Sequence, residues 1–307
     1  MIALYLTTER RHWWRDHLQS LLPNIECKLW DEITDPKAVR YAVVWRPPSG
    51  WLASFPNLQC IVSIGAGIDH VLEDKLLPVN IPVIRTTGDE LTLRMREYIC
   101  LHVLRLHRNL MKLTQAQQTK QWQPVITPPA NQRRVGVMGL GKLGSDAAIS
   151  LSQIGFRVSG WSIRKHMLPT IQTYTQHELT AFLSSTDILI CLLPLTDTTR
   201  NILNAQLFAQ LPDGASIINA ARGEHLVEQD LLTALDTGKL AYATLDVFRT
   251  EPLPSDHPFW DHEKILVTPH VASLIDPKSG GSEIAKNLQA FINGERPKDL
   301  TDPILGY

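Results

Sequence analysis

Short apolar runs recur along the chain between stretches whose apolar residues fall every three or four positions. Near the N-terminus IALYLT, YAVVW, LQCIVSIGAG and IPVIR read as strands with helices between them, an alternation that predicts a parallel α/β unit. From Glu97 to Gln118 the spacing predicts one long amphipathic helix joining two domains. The segment QWQPVITPPANQ cannot continue it, because proline lacks an amide hydrogen and its ring collides with the preceding turn. Beyond it, RRVGVMG, FRVSGWS, DILICLLP, ASIINAA, AYATLDV and KILVTPH predict a second, longer doubly wound sheet. Pro277 to Asn293 reads as a helix that returns to the first domain. The expected class is therefore α/β, with two doubly wound parallel-sheet domains separated by a cleft.

A chain of 307 residues, 44% hydrophobic and 20% charged, is long enough to bury two cores. Its formal net charge of -1 offers no clustered positive field for nucleic acid or an anionic membrane, so a small-molecule partner is expected. Cys27, Cys60, Cys100 and Cys191 lie far apart without metal-ligand spacing, which suggests unpaired thiols in a reducing compartment and no metal site. The N-terminal MIALYLTTERRHWW meets charge after a few apolar residues, and no later run approaches the roughly 20 that a membrane span requires. A cytoplasmic protein is expected.

The second sheet opens with GLGKLG, placing Gly139, Gly141 and Gly144 between a strand pattern and a helix pattern. The first glycine permits a tight turn, the second lets backbone approach a pyrophosphate, and the third lets helix and strand pack closely. Leu140, Lys142 and Leu143 complete this candidate cofactor-binding loop, with Lys142 facing either pyrophosphate or solvent. Residues 99–274 are thus the candidate NAD(P)-binding Rossmann domain, and 1–98 plus 275–307 a flavodoxin-like substrate-binding domain. About twenty residues on, where an acidic side chain would hold the ribose hydroxyls of NAD, the chain reads GWSIRKH. Ser162, Arg164 and Lys165 suit a 2'-phosphate, so NADPH is expected over NADH, with NADH still possible; a solvated basic loop is the plainer alternative.

Three later segments, NAARGEHLVEQDLL, LDVFRTEPLP and TPHVAS, follow predicted strands at the sheet edge where open parallel sheets bind ligands. Arg222, after the small residues Ala220 and Ala221, suits forked recognition of a planar keto acid, although a lone arginine is usually a surface residue. His270 suits proton donation to a carbonyl, although a lone histidine in apolar company is usually a core residue. Glu251 is placed to orient His270 and favour its charged form, or is an ordinary loop carboxylate.

Together these blocks resemble the signatures of the D-isomer-specific 2-hydroxyacid dehydrogenases. YAVVWRPP, SIGAGIDHV, EYICLHVL, QWQP, CLLPLTDTTRNILN and the terminal GY look like the glyoxylate/hydroxypyruvate reductase A branch, so the resemblance spans nearly the whole chain. It implies NADPH-preferring reduction of glyoxylate to glycolate and hydroxypyruvate to D-glycerate. Arg222 would bind and polarise the substrate, His270 act as acid/base, and Glu251 serve as its partner. Gly65, Ala66 and Gly67 would hold the substrate carboxylate through backbone amides. Asp246 would accept from the nicotinamide carboxamide, or is otherwise a strand-end turn residue, and Leu193 and Pro194 would line the cofactor. Trp45 matches a tryptophan near the substrate pocket, but as the end of a buried run it reads equally as core. A homodimer is also implied, with the long helix and the arm Gln121 to Pro129 as candidate interface. Thr92, Leu93 and Arg94, taken to precede the long helix, are bulkier than the branch pattern and bear on substrate size. The rival readings are a nucleotide-sensing corepressor, as in the C-terminal-binding proteins, and a dehydrogenase for another 2-hydroxy acid.

Overall fold

The computed structural model describes residues 1–6, 10–78 and 80–301; Thr7, at the end of the first expected strand run, and the terminal Gly306 and Tyr307 lie outside them. The chain divides into two units, Met1–Leu91 with Ile275–Tyr307, and Thr92–Leu274. The division therefore falls at Leu91, before the expected end of the first domain at Tyr98.

In the first unit, strands β1 (Ile2–Tyr5), β2 (Cys27–Leu29), β3 (Tyr41–Val44), β4 (Cys60–Ser63) and β5 (Val83–Ile84) lie in the order β2-β1-β3-β4-β5, all parallel. A terminal strand, Leu300–Thr301, adds to β5 in antiparallel sense and departs from the purely parallel expectation. Period-two alternation covers both faces. Ile2, Leu4, Val43 and Val62 pack with Trp14 and Leu18 of helix Arg11–Leu21 and with Ile284 and Leu288 of helix Pro277–Ile292. Ala3, Ala42, Val44 and Ile61 pack on the other side with Leu52, Phe55 and Val71.

The second unit holds β6 (Arg134–Met138), β7 (Arg157–Trp161), β8 (Gln172–Tyr174), β9 (Ile188–Cys191), β10 (Ala215–Asn219), β11 (Leu240–Leu245) and β12 (Ile265–Val267). Their order is β12-β11-β10-β9-β6-β7-β8, and every pairing is parallel. The chain leaves β6 in one direction through β7 and β8, then returns to its other side with β9, so the switch point lies between β6 and β9. The glycine turn emerges from β6 at that point.

The connecting helix differs from expectation. It starts at Asp89, not Glu97, and runs to His107. Asp89 and Glu90 in its first turn favour the helix dipole. Thr92, Leu93 and Arg94 are thus inside the helix, not in a segment before it. The helix ends before Asn109, whose φ of +53° is a left-handed conformation that asparagine tolerates, and a second helix runs over Leu110–Gln118. Among the described residues no helix is long and apolar enough to cross a membrane.

Candidate active site

The turn after β6 is built by exclusion. Gly139 has a φ of +99°, and a Cβ there would lie 2.5 Å from the Leu192 carbonyl oxygen. A Cβ on Gly144 would stand 1.8 Å from the Gly139 carbonyl oxygen, so only glycine lets helix Lys142–Ile154 lean this closely on the strand. A Cβ on Gly141, by contrast, would meet nothing within 4 Å. Gly141 caps the helix without a side chain, leaving an open approach to the helix N-terminus. Lys142 is exposed and Leu143 half-buried. Leu140 is in the core against Gly160, so its side chain supports the turn from behind. The cradle fits a dinucleotide pyrophosphate.

Beyond β7, Ser162 is buried and donates its hydroxyl to the Arg164 carbonyl at 2.6 Å. Ser162 thus shapes the loop, while Arg164 and Lys165 present exposed cationic side chains. Leu193 is buried beyond β9, and the Pro194 carbonyl accepts from Thr199 Oγ1 at 2.7 Å.

Beyond β10, Asn219 donates from Nδ2 to the Arg222 carbonyl at 2.9 Å and accepts from the Ala221 amide at 3.2 Å. This locks the buried Ala220 and Ala221 in a turn that delivers Arg222, whose Nη1 donates to the Ala221 carbonyl at 2.7 Å. A Cβ on Gly223 would lie 1.9 Å from the Phe248 carbonyl carbon, so a bare backbone brings this turn against the loop after β11. Arg249 clamps the two, donating from Nε to the Leu226 carbonyl at 2.9 Å.

The loop after β12 is fixed by Asp246. Only 1% exposed, it accepts from Thr268 Oγ1 at 2.6 Å, from the Val271 amide at 2.9 Å and from the Ala272 amide at 2.8 Å. Tyr98 adds its hydroxyl to Thr268 at 2.7 Å, and burial pushes the Tyr98 phenol well up from its ordinary value. Between these anchors His270 is held at a φ of +54°, a strained conformation for a non-glycine residue that persists because its neighbours over-determine it. Its amide donates to the Asp246 carbonyl at 2.8 Å. Its Nδ1 faces Glu251 Oε2 at 2.8 Å, and Glu251 Oε1 accepts from the Phe248 amide at 3.0 Å. With the carboxylate fixed by that amide, Nδ1 is the donor to Glu251 and Nε2 is the ring atom turned away from it.

In the first unit, Trp45 and the Gly65–Gly67 loop follow adjacent strands. A Cβ on Gly65 would stand 2.6 Å from Trp45 Cζ3, and the half-buried indole also packs on His70 at 4.6 Å between ring centroids. The Gly65 amide donates to Ser63 Oγ at 3.3 Å. Among the described residues no hydrogen bond within the chain engages the amides of Ala66 or Gly67.

Arg222, Glu251 and His270 are therefore gathered on loops of three neighbouring strands, with the glycine cradle on the same edge of their sheet. Asn219, Gly223, Arg249, Tyr98 and Thr268 were not singled out by sequence reasoning. Asn219 and Gly223 stand inside the NAARGEH block, where a polar residue closing a buried strand and a glycine before a helical pattern were the available signals.

A family model described as D-isomer specific 2-hydroxyacid dehydrogenase, NAD binding domain, matches residues 100–272. The chain is 39% identical over 300 residues to glyoxylate/hydroxypyruvate reductase A of Yersinia enterocolitica, covering 96% of each protein. Its structure is similar to a D-isomer specific 2-hydroxyacid dehydrogenase from Xanthobacter autotrophicus Py2 in complex with NADPH and MES, with 37% identity, a TM-score of 0.93, and coverage of 100% of this chain and 99% of that one. It is also similar to an NADPH-dependent glyoxylate/hydroxypyruvate reductase from Sinorhizobium meliloti in complex with NADP and sulfate, with 34% identity, a TM-score of 0.91, and coverage of 100% and 99%.

Proposed function

Because the chain belongs to the D-isomer-specific 2-hydroxyacid dehydrogenase family, we propose that it reduces short 2-keto acids, glyoxylate and hydroxypyruvate among them, using NADPH in preference to NADH. The observation that carries this reading is the Glu251–His270 pair, held at 2.8 Å on a strained, buried-anchored turn. NADPH, when bound, supplies the hydride. The glycine cradle and the first turn of helix Lys142–Ile154 take its pyrophosphate, and Arg164 and Lys165 take its 2'-phosphate.

His270 gives the Nε2 proton to the carbonyl oxygen, while Glu251 holds the ring in register through Nδ1. Arg222 binds the keto acid and stabilises charge developing on its oxygen. The Ala66 and Gly67 amides serve the substrate carboxylate, since glycine-rich backbone approaches an anion closely. Asp246 keeps the His270 turn in place and has lone-pair capacity left for a carboxamide donor.

Trp122 and Ile126, 100% and 97% exposed on the arm after Gln121, support a homodimer, because apolar surface of this kind favours burial by a partner. Four unpaired cysteines support a cytoplasmic location. Initial rates with glyoxylate, hydroxypyruvate and pyruvate, each with NADPH and NADH, test the reading. Turnover fastest with NADPH is expected; nucleotide binding without turnover on any keto acid would make the chain a nucleotide sensor instead.

A further inference from the structure

His225 is 0% exposed and closes the short turn Gly223–His225 after β10. Its Nδ1 lies 3.2 Å from the Arg222 amide nitrogen, and its Nε2 lies 3.3 Å from the Pro194 carbonyl oxygen, in the loop after β9. Nδ1 is also 3.2 Å from the Arg222 carbonyl oxygen, so the tautomer decides which bonds form. A proton on Nε2 gives two: the ring donates to Pro194 and accepts from the Arg222 amide. A proton on Nδ1 gives one, to the Arg222 carbonyl, and turns the Nε2 lone pair on the Pro194 oxygen. The Arg222 carbonyl already accepts from Asn219 at 2.9 Å and has little need of the ring. Burial lowers the pKa of the imidazole, which keeps it neutral.

We propose that His225 is a positioning residue whose neutral, Nε2-protonated ring ties the backbone of Arg222 to the Leu193–Pro194 segment, holding the substrate-binding arginine and the cofactor-lining loop in one register. The proposal rests on the roles assigned to those segments above. Both partners are main-chain atoms, so losing either contact shifts a loop without removing a reacting group.

Two substitutions separate the halves. His225→Asn keeps an acceptor near the position of Nδ1 but does not reach Pro194; His225→Gln places an amide N–H near the position of Nε2 but offers the Arg222 amide no acceptor at the right distance. For the asparagine variant, the NADPH dissociation constant measured by fluorescence titration should rise about fivefold, with kcat for hydroxypyruvate at saturating NADPH within about twofold of wild type, as loss of one hydrogen bond implies. For the glutamine variant, NADPH binding should stay within about twofold, while kcat/KM for hydroxypyruvate falls about fivefold. Equal effects of both variants on both quantities, or no effect of either, would overturn the proposal. The nucleotide titration needs no turnover, so a chain inactive on keto acids would remove the functional reading while leaving the Pro194 contact testable. The wild-type protein supplies a check independent of variant folding: nitrogen NMR of labelled imidazoles should show His225 protonated on Nε2 alone at neutral pH, and protonation on Nδ1 would overturn the proposal.

Discussion

The loops after β10, β11 and β12 and the loop after β7 leave the same edge of one parallel sheet, yet they are held very differently. In the first group Asp246 accepts from three donors on the His270 turn, Asn219 grips the Arg222 turn, and Gly223 lets the backbones meet. In the second, Arg164, Lys165 and Met167 stand exposed, and the loop is shaped by the hydroxyls of Ser162 and Thr173 on the Arg164 and His166 carbonyls. The contrast matches the two tasks proposed for these loops. Proton delivery demands fixed geometry, whereas recognising a phosphate by charge tolerates adjustment of long side chains. Changes in the first group should cost stability and turnover together; changes in the second should alter cofactor choice alone.

The largest effect is expected where the glycine cradle meets the sheet. Gly144→Ala drives a methyl into the Gly139 carbonyl at 1.8 Å, so a loss of about 3 kcal/mol or more and abolished NADPH binding are expected by thermal melting and nucleotide titration. Asp246→Asn puts an amide donor among donors. It should cost about 2 kcal/mol in urea unfolding and lower kcat in parallel; a stable variant with reduced kcat would show that turnover does not depend on the rigidity of the His270 turn. Replacing both Arg164 and Lys165 with alanine should raise the KM for NADPH tenfold or more, by about 1.5–3 kcal/mol, and leave the KM for NADH and the melting temperature nearly unchanged. Equal losses with both nucleotides would remove the phosphate assignment.

The smallest effect at neutral pH comes from behind the fixed loops. His102 packs on Tyr98 at 4.2 Å between ring centroids, and burial, helped by Arg105, lowers its pKa from 6.5 to about 4. Between those values the unfolded chain takes up a proton that the folded ring refuses. Its contribution is therefore fully present above pH 6.5 and declines as the pH falls through the window, by roughly 3 kcal/mol at most. His102→Leu should flatten the pH dependence of the urea midpoint in this range; the remaining slope comes from His107 and His225, whose pKa values burial also lowers, and toward the acid end from carboxylates held below their ordinary values, Glu178 and Asp187 among them. An unchanged slope would contradict the assignment.

Strands rich in Val, Ile and Leu were legible because both faces of each sheet are covered and the runs are apolar almost throughout. The edge strands β2, with CKL, and β8, with QTY, were not, since a short edge strand carries polar residues and little periodicity. The long helix was misplaced at both ends for local reasons: the Asp89 start lacks a strong apolar stripe, and the break at Asn109 is a single left-handed residue. The site residues with reactive groups stood out in the motifs. Asn219 closes its own turn on Ala221 and Arg222, whereas His225 and Arg249 act on backbone atoms of other loops, and neither spacing nor composition encodes those longer contacts.

His270, held by Glu251 and the Asp246-anchored turn, is the proposed proton donor. The most direct test of that role is kcat/KM for hydroxypyruvate reduction by NADPH in wild type and His270→Ala, with the NADPH dissociation constant measured on the same samples. A fall of about 10²–10⁴ in kcat/KM with nucleotide binding unchanged is expected; comparable turnover in the two proteins would remove His270 from the role of proton donor.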